Sequence, residues 1–375
     1  MEKLQSQVCM LADESSTALG PGNAGSTDMD LEPPKTCPLC GGHPELWVPH
    51  LPTAIAGGSV DAYRCQACNS VFSWPLVVPT GLYDAIYRNA SRLVGYTRYA
   101  RYAESSQRAE DPLRHLARQE DVYWAVTEVL AARPESKSWH IVEVGSGLGY
   151  LTAALNTAGY DVTGLDISAE AVAEARGRFG PHYERHDIFE PDERFVGTFD
   201  FAILLETIEH VPDPSSFLGA VTRLLKPNGS VLVTTPNRDA HPRGAQWRTD
   251  PPPVHLFWLT EFGLEQLASR VGYRTELVDF TAFNAEHRQT VALGDLTTTP
   301  PPMLGPTLEP CGTIPPRTQL MERLREFPPL AAVARFIYDG VRPNRARLTD
   351  RSFSIAAVLS PNGSRPAQDA DTASG

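Results

Sequence analysis

The chain lacks an apolar run of the roughly 20 residues needed to cross a bilayer, and it lacks an excess of basic residues. Lys and Arg number 33 against 45 Asp and Glu, which gives a net charge of −12. Between Cys37 and Pro79 the only charged residues are Glu45, Asp61 and Arg64. Because nucleic-acid binding usually needs a basic patch, this balance disfavours a nucleic-acid partner.

The start of the chain also lacks the sustained apolar centre of a secretory signal peptide. Residues 1–35 are rich in Ser, Gly, Asp and Pro, and we predict a disordered leader there and a disordered tail at 361–375. We therefore expect a cytoplasmic protein with no membrane partner. The 375 residues suffice for one large core and a small module, and they indicate no oligomeric state.

Three alternating glycines, Gly145, Gly147 and Gly149, stand between an apolar, β-prone run and a helical pattern. Glycine lets a ligand approach the backbone closely, and a helix start offers free N–H groups. The rival interpretation is a dinucleotide-binding dehydrogenase, which expects the pattern G-x-G-x-x-G. Here Tyr150 stands in the place of that third glycine.

Strands alternate with helices after this turn, which predicts a parallel sheet with ligands at the carboxyl ends of its strands. A second strand ends in Asp166, 19 residues after Gly147, where a carboxylate can accept hydrogen bonds from ribose hydroxyls. Ser168 is predicted to open the next helix. A third strand ends at Asp187, and further strands follow at 199–205 and 230–235.

Five segments in this order resemble the class I S-adenosylmethionine (SAM)-dependent methyltransferases. They are Glu143–Gly149, Gly164–Asp166, His186–Asp187, Glu206–Pro214 and Leu225–Gly229. The resemblance implies an α/β fold with a Rossmann-like seven-stranded sheet in a domain at 136–280, whose last strand lies at 351–360. It implies that Glu143, Gly145 and Gly147, in a turn that includes Gly149, hold the methionine part of the cofactor. Asp166 would hold the ribose and Asp187 the adenine amino group.

Four of the six cysteines form two C-x-x-C pairs, Cys37/Cys40 and Cys65/Cys68, separated by 24 residues. This spacing predicts a zinc ribbon at 36–79, with a closed four-sulfur site and a structural role. Two disulfides are the alternative, which fits poorly with a chain that has no secretory signal. The ribbon resembles those of bacterial methyltransferases that modify sugars or other small metabolites, and we predict an appended cover or docking surface.

Residues 80–135 are predicted to form a helical cap, with tyrosines and arginines interleaved at helical spacing and a long helix at 112–133. The tyrosines either form pocket walls with arginines that grip an anionic substrate, or form the core face of an amphipathic helix. Residues 281–350 contain a proline-rich stretch that breaks the strand–helix rhythm. We predict an insertion there, near the mouth of the active site.

Glu206, Glu209 and His210 follow the fourth strand of the predicted sheet, and one helical turn would place them on one face. With His255 they would make a divalent-metal site. The pattern Glu-x-x-Glu-His, followed later by this histidine, resembles metal-dependent O-methyltransferases, including small-RNA 2′-O-methyltransferases and ubiquinone-pathway enzymes. The alternatives are a general-base role for His210 and a structural role.

Three functional hypotheses follow from the sequence. The first is a SAM-dependent O-methyltransferase that acts on a small hydroxylated metabolite or sugar, with structural zinc and a second divalent metal. The second is RNA 2′-O-methylation, favoured by the Glu-x-x-Glu-His pattern. The third is a non-catalytic, SAM-binding scaffold that uses the ribbon for protein contacts. Fold alone does not identify the methyl acceptor.

Overall fold

The computed structural model describes residues 32–93, 95–190, 192–241, 251–287, 289–292, 302–311 and 345–363. Most of the predicted leader, insertion and tail lies outside these ranges. Within them, no helix combines the length and the apolar character that crossing a membrane requires.

Three strands and then four helices begin the described chain, and strands mixed with helices follow from His140 onward. The strands are β1 (Pro44–Pro52), β2 (Ser59–Cys65), β3 (Val71–Trp74), β4 (His140–Val144), β5 (Asp161–Asp166), β6 (Tyr183–Arg185), β7 (Phe199–Leu205), β8 (Leu225–Pro236), β9 (Phe257–Trp258), β10 (Tyr273–Leu277), β11 (Thr290–Ala292), β12 (Arg345–Arg347) and β13 (Ser354–Pro361). The helices are α1 (Leu82–Arg88), α2 (Thr97–Arg108), α3 (Pro112–Ala117), α4 (Asp121–Ala131), α5 (Tyr150–Thr157), α6 (Ala169–Phe179), α7 (Pro214–Leu224), α8 (Glu261–Arg270) and α9 (Thr281–His287).

Seven strands form one sheet in the order β10-β13-β8-β7-β4-β5-β6. The pairs from β8 to β6 are parallel, whereas β13 runs antiparallel to both β8 and β10. The central strands are apolar and buried along most of their length, as parallel strands covered on both faces require. This is the predicted Rossmann-like seven-stranded sheet, and the fold class is confirmed.

Helix α6 shows how local sequence sets the elements. Its N-cap is Ser168, whose hydroxyl accepts a hydrogen bond from the Ala171 amide at 3.1 Å. Two alanines, Ala171 and Ala175, are fully buried on its inner face. The helix ends at Gly180, which has a positive φ of 96°.

The long helix predicted at 112–133 is wrong, because the structure contains two helices, α3 and α4, in its place. The break falls at Glu120, whose backbone is extended (φ −141°, ψ 153°). The Glu120 carboxylate accepts a hydrogen bond from the Tyr102 hydroxyl at 2.9 Å, which ties the break to helix α2.

The N-terminal strands form a second sheet, in the order β1-β2-β3-β9. The first three strands come from the predicted ribbon, but β9 follows β8 in the chain. Ribbon residues Cys65 and Phe72 belong to the same buried apolar cluster as Leu256 and Leu264. The ribbon therefore shares a core with the half of the chain that forms the seven-stranded sheet, and differs from the predicted appended module.

Candidate active site

A cavity of about 930 Å³ opens where β4, β5 and β7 end at their carboxyl ends. That volume lies at the upper end of the range for small-molecule sites, so a cofactor and an acceptor fit together. Most of the sequence-predicted site residues line it: Glu143, Gly145, Gly147, Asp166, Asp187, Glu206, His210 and His255.

The glycine turn has a left-handed backbone at all three glycines, with φ of 80° at Gly145, 50° at Gly147 and 80° at Gly149. A Cβ at Gly147 would lie 3.1 Å from the Tyr87 hydroxyl, so glycine keeps this edge of the cavity open. A Cβ at Gly149 would lie 2.6 Å from the Ala175 Cβ. Gly149 is absent from the cavity lining, and its lack of a side chain lets α6 pack closely.

Three carboxylates stand around this turn. Glu143 is 3% exposed and accepts a hydrogen bond from the Thr152 hydroxyl, and burial raises its pKa to about 8. Asp166 accepts hydrogen bonds from the Gly147 amide and the Ser168 amide, both at 2.8 Å, and burial raises its pKa. Asp187 is half-buried and lines the same cavity.

Helix α1 covers the cavity with two tyrosines. Tyr83 and Tyr87 both line it, and the Tyr83 hydroxyl donates to the His210 carbonyl at 3.3 Å. Arg88, at the end of the same helix, forms an ion pair with Glu170 of α6 at 2.7 Å. These contacts hold helix α1 over the glycine turn, where Tyr83 and Tyr87 form part of the cavity wall.

The three side chains Glu209, His210 and His255 converge beside the cavity, with one potential ligand atom of each within 4.8 Å of the others. Glu209 Oε1 lies 3.9 Å from Nε2 of each histidine. Ligands 2.0–2.2 Å from one metal ion lie about 3.0–3.5 Å apart. The two distances from Glu209 to the histidines would shorten by roughly 0.4–0.9 Å if these side chains held one divalent ion.

Surrounding groups orient these ligands. His210 Nδ1 donates to the Val254 carbonyl at 2.7 Å, which leaves the lone pair of Nε2 facing Glu209. The Thr235 hydroxyl donates to Glu209 Oε2 at 2.9 Å, which leaves Oε1 toward the histidines. Sequence reasoning missed Thr235 as a support for Glu209, because only the β7–β8 pairing brings the two together.

Glu206, Glu209 and His210 do not lie on one helical turn, which is the arrangement that would have placed them on one face. A 3₁₀ turn covers only Ile208–His210, and Glu206 has a left-handed φ of 49°, which is strained for a residue other than glycine. Glu206 lines the cavity but is not part of the convergent set of three. Burial, and then the nearby Glu209 charge, raise the pKa of Glu206 well above its ordinary value.

The four ribbon cysteines converge in a second cluster. Two sulfur–sulfur distances are 3.9 Å (Cys37–Cys68) and 3.4 Å (Cys40–Cys65), and all four sulfurs lie within 4.8 Å of one another. Tetrahedral zinc with bonds of 2.3 Å places sulfurs about 3.8 Å apart, so the cluster fits that ion.

The two cysteine loops repeat one backbone pattern. The Cys37 amide donates to the Gly42 carbonyl at 2.8 Å, and the Cys65 amide donates to the Ser70 carbonyl at 2.9 Å. The residue four positions after the first cysteine is left-handed in each loop, Gly41 with φ 77° and Asn69 with φ 58°. Such paired loops are the expected frame of a zinc ribbon.

Residues 113–278 match a family described as a methyltransferase domain. Over 105 residues the chain is 36% identical to the ubiquinone biosynthesis O-methyltransferase of Erwinia tasmaniensis. The matched stretch covers 27% of this chain and 43% of that protein. The corresponding enzyme of Dechloromonas aromatica is 36% identical over 104 residues, or 26% and 45% of the two chains. The chain thus spans less than half the length of these curated relatives.

Among solved structures, a SAM-dependent methyltransferase of Thermotoga maritima, described as a possible histamine N-methyltransferase, is similar at 14% identity and a TM-score of 0.41. That similarity covers 74% of this chain and 99% of that one. The family match includes the glycine turn, Asp166 and the segment Glu206–Pro214, which the structure gathers at one cavity. Residues 113–278 of this chain therefore form a methyltransferase domain of the S-adenosylmethionine-dependent class.

Proposed function

We propose that this protein is an O-methyltransferase that acts on a small hydroxylated metabolite, such as a sugar, with a divalent metal ion at Glu209, His210 and His255. One observation carries the proposal: the three ligands converge, and two of them, His210 and His255, line the same cavity as the glycine turn. The names of the curated relatives, ubiquinone biosynthesis O-methyltransferases, support transfer to oxygen.

The cofactor half of the site uses the turn and its neighbouring carboxylates. Gly145 and Gly147 admit the methionine part beside Glu143, whose carboxylate suits a cationic amine. Asp166 takes the ribose hydroxyls, and Asp187 takes the adenine amino group. When bound, the cofactor supplies an electrophilic methyl group, so the protein has to align an acceptor and favour its nucleophilic form.

The metal half of the site supplies that activation. Glu209, His210 and His255 would hold a divalent cation, which would supply the Lewis acidity that lowers the pKa of an acceptor hydroxyl. The surroundings favour a cation, since Glu206 and Glu209 are close enough for the charge of one to raise the pKa of the other. Two imidazoles and one carboxylate would suit a divalent transition-metal ion such as Mn²⁺.

In the ribbon we propose structural zinc at Cys37, Cys40, Cys65 and Cys68. Four sulfur ligands close the coordination sphere, which leaves no position for a substrate. Three of these cysteines are at most 2% exposed. Zinc bound there stabilises the N-terminal strands and takes no part in methyl transfer.

The test is transfer of a labelled methyl group from SAM to a panel of sugars, catechols and short RNAs, with Mn²⁺ or Mg²⁺ and after EDTA treatment. We expect label on an oxygen of a small acceptor, with activity lost to EDTA and restored by metal. Label only on nitrogen or carbon, or only on RNA, would overturn the acceptor proposed here. Binding of S-adenosylhomocysteine without turnover on any acceptor would favour a scaffold.

A further inference from the structure

The segment that carries His255 is fastened to the ribbon on both sides of that residue. Before it, the Ala54 amide donates to the Pro252 carbonyl at 2.6 Å. After it, the Ser73 amide donates to the Leu256 carbonyl at 2.9 Å, and β3 pairs with β9. His255 itself is only 5% exposed. Its backbone is therefore held between two contacts with the N-terminal strands.

Thr260 joins this segment to a cysteine loop. Its hydroxyl donates to the Cys68 carbonyl at 2.6 Å, and its amide donates to the Ser70 hydroxyl at 3.0 Å. The same hydroxyl accepts from the Gly263 amide at 3.0 Å as the N-cap of α8. One buried side chain thus links the second cysteine loop to the helix that follows the His255 segment.

The first cysteine loop is linked to the other end of the same helix. Arg270, the last residue of α8, donates through Nη1 to the carbonyls of Pro38 and Leu39, at 2.9 and 3.3 Å. Because both cysteine loops meet α8, their relative position constrains the helix and the strand β9 that precedes it.

The inner side of the segment contacts the proposed metal ligands directly. The Leu256 amide donates to the Glu209 carbonyl at 2.8 Å, and His210 Nδ1 donates to the Val254 carbonyl. The backbone on either side of His255 therefore positions the other two members of the set as well.

We infer that the ribbon is a positioning element for Glu209, His210 and His255, with Thr260 as its principal link. This inference rests on the proposed metal site. The four cysteines hold the two loops, the loops hold 252–260, and that segment fixes the spacing of the three ligands. Loss of the Thr260 link widens the ligand set, while the cofactor half, at the glycine turn, keeps its shape.

The experiment compares Mn²⁺ affinity, measured by electron paramagnetic resonance, in wild type, Thr260→Val and Thr260→Ser. Mn²⁺ prefers nitrogen and oxygen ligands and avoids the thiolate cluster. Thr260→Val is expected to weaken Mn²⁺ binding by about 10-fold, the lower end of the loss seen when a group that supports a metal site is removed. Thr260→Ser retains the hydroxyl and should bind within about threefold of wild type.

Two readouts separate positioning from general damage. Zinc content and S-adenosylhomocysteine affinity should remain at wild-type values in Thr260→Val. Asp111→Ala removes the N-cap of α3, whose carboxylate accepts from the Arg114 amide at 3.0 Å, and lies outside the cavity lining. This control should leave Mn²⁺ affinity unchanged.

The outcomes distinguish the inference from the proposed function. If the wild type binds no Mn²⁺, the metal site fails and the inference falls with it. If the wild type binds Mn²⁺ and Thr260→Val binds it equally, the positioning role is overturned while the site stands. If Thr260→Val does not fold, Arg270→Met decides in its place, and we expect weaker Mn²⁺ binding with zinc retained.

Discussion

The two clusters of potential metal ligands in this protein are built by opposite means. The cysteine cluster comes from two short loops that repeat one backbone pattern, and Cys40 alone of its four members is partly exposed. The set at Glu209, His210 and His255 draws on two segments more than 40 residues apart, and it faces a cavity. A local site can be recognised from spacing and is closed, whereas an assembled site needs the fold and stays open.

Cys65→Ser is the largest perturbation of the closed cluster. We expect zinc content to fall from about one per chain to near zero, and the free energy of unfolding to drop by about 4–5 kcal/mol or more, because loss of a metal belongs to the most severe class of substitution. Metal analysis and chemical denaturation measure both. Since Cys65 is fully buried within the shared apolar cluster, a variant that kept full stability would contradict the shared core.

Glu209→Gln tests the open cluster. It removes the charge but keeps the volume of a fully buried side chain, so the fold and the zinc should be retained. We expect methyl transfer to fall by about 10²–10³-fold at a given metal concentration. Activity assays across a Mn²⁺ titration measure this. Glu174→Gln, at an exposed glutamate paired with Arg178, is the matched control and should leave activity unchanged.

The cysteine cluster and the sheet could be predicted from the sequence, whereas parts of the structure around Glu209, His210 and His255 could not. The C-x-x-C spacing predicted the cysteine set, and alternation with a glycine turn predicted a parallel sheet, because these signals lie within a few neighbouring residues. The seven strands of that sheet were implied only by the family resemblance. The left-handed Glu206 and the strand at Phe257–Trp258 were not predicted. The left-handed backbone of Glu206 arises where β7 ends, and β9 forms only because strand β3 of the ribbon pairs with it.

Thr235→Val changes a residue that hydrogen-bonds a ligand of the open cluster and is not itself a ligand. The hydroxyl that donates to Glu209 Oε2 is lost, while the β-branched shape in strand β8 is kept. We expect metal affinity to fall by about 10-fold and zinc content to stay at wild type. Thr234→Val changes the neighbouring residue of the same strand, and its larger effect would contradict the role assigned to Thr235.

A change of pH, rather than of a residue, separates the cofactor side of the cavity from its metal side. Burial raises the pKa of Glu143 to about 8, so below pH 8 its carboxyl group is increasingly protonated. If the ionised form holds the cofactor amine, S-adenosylhomocysteine affinity should fall by about 10-fold per pH unit as the pH drops from 8 toward 6. Calorimetric titration across that range measures the slope. Glu143→Gln should flatten it and Glu209→Gln should preserve it, because only Glu143 of these two residues lies beside the glycine turn. A wild-type slope that persisted in Glu143→Gln would mean that another group governs cofactor affinity.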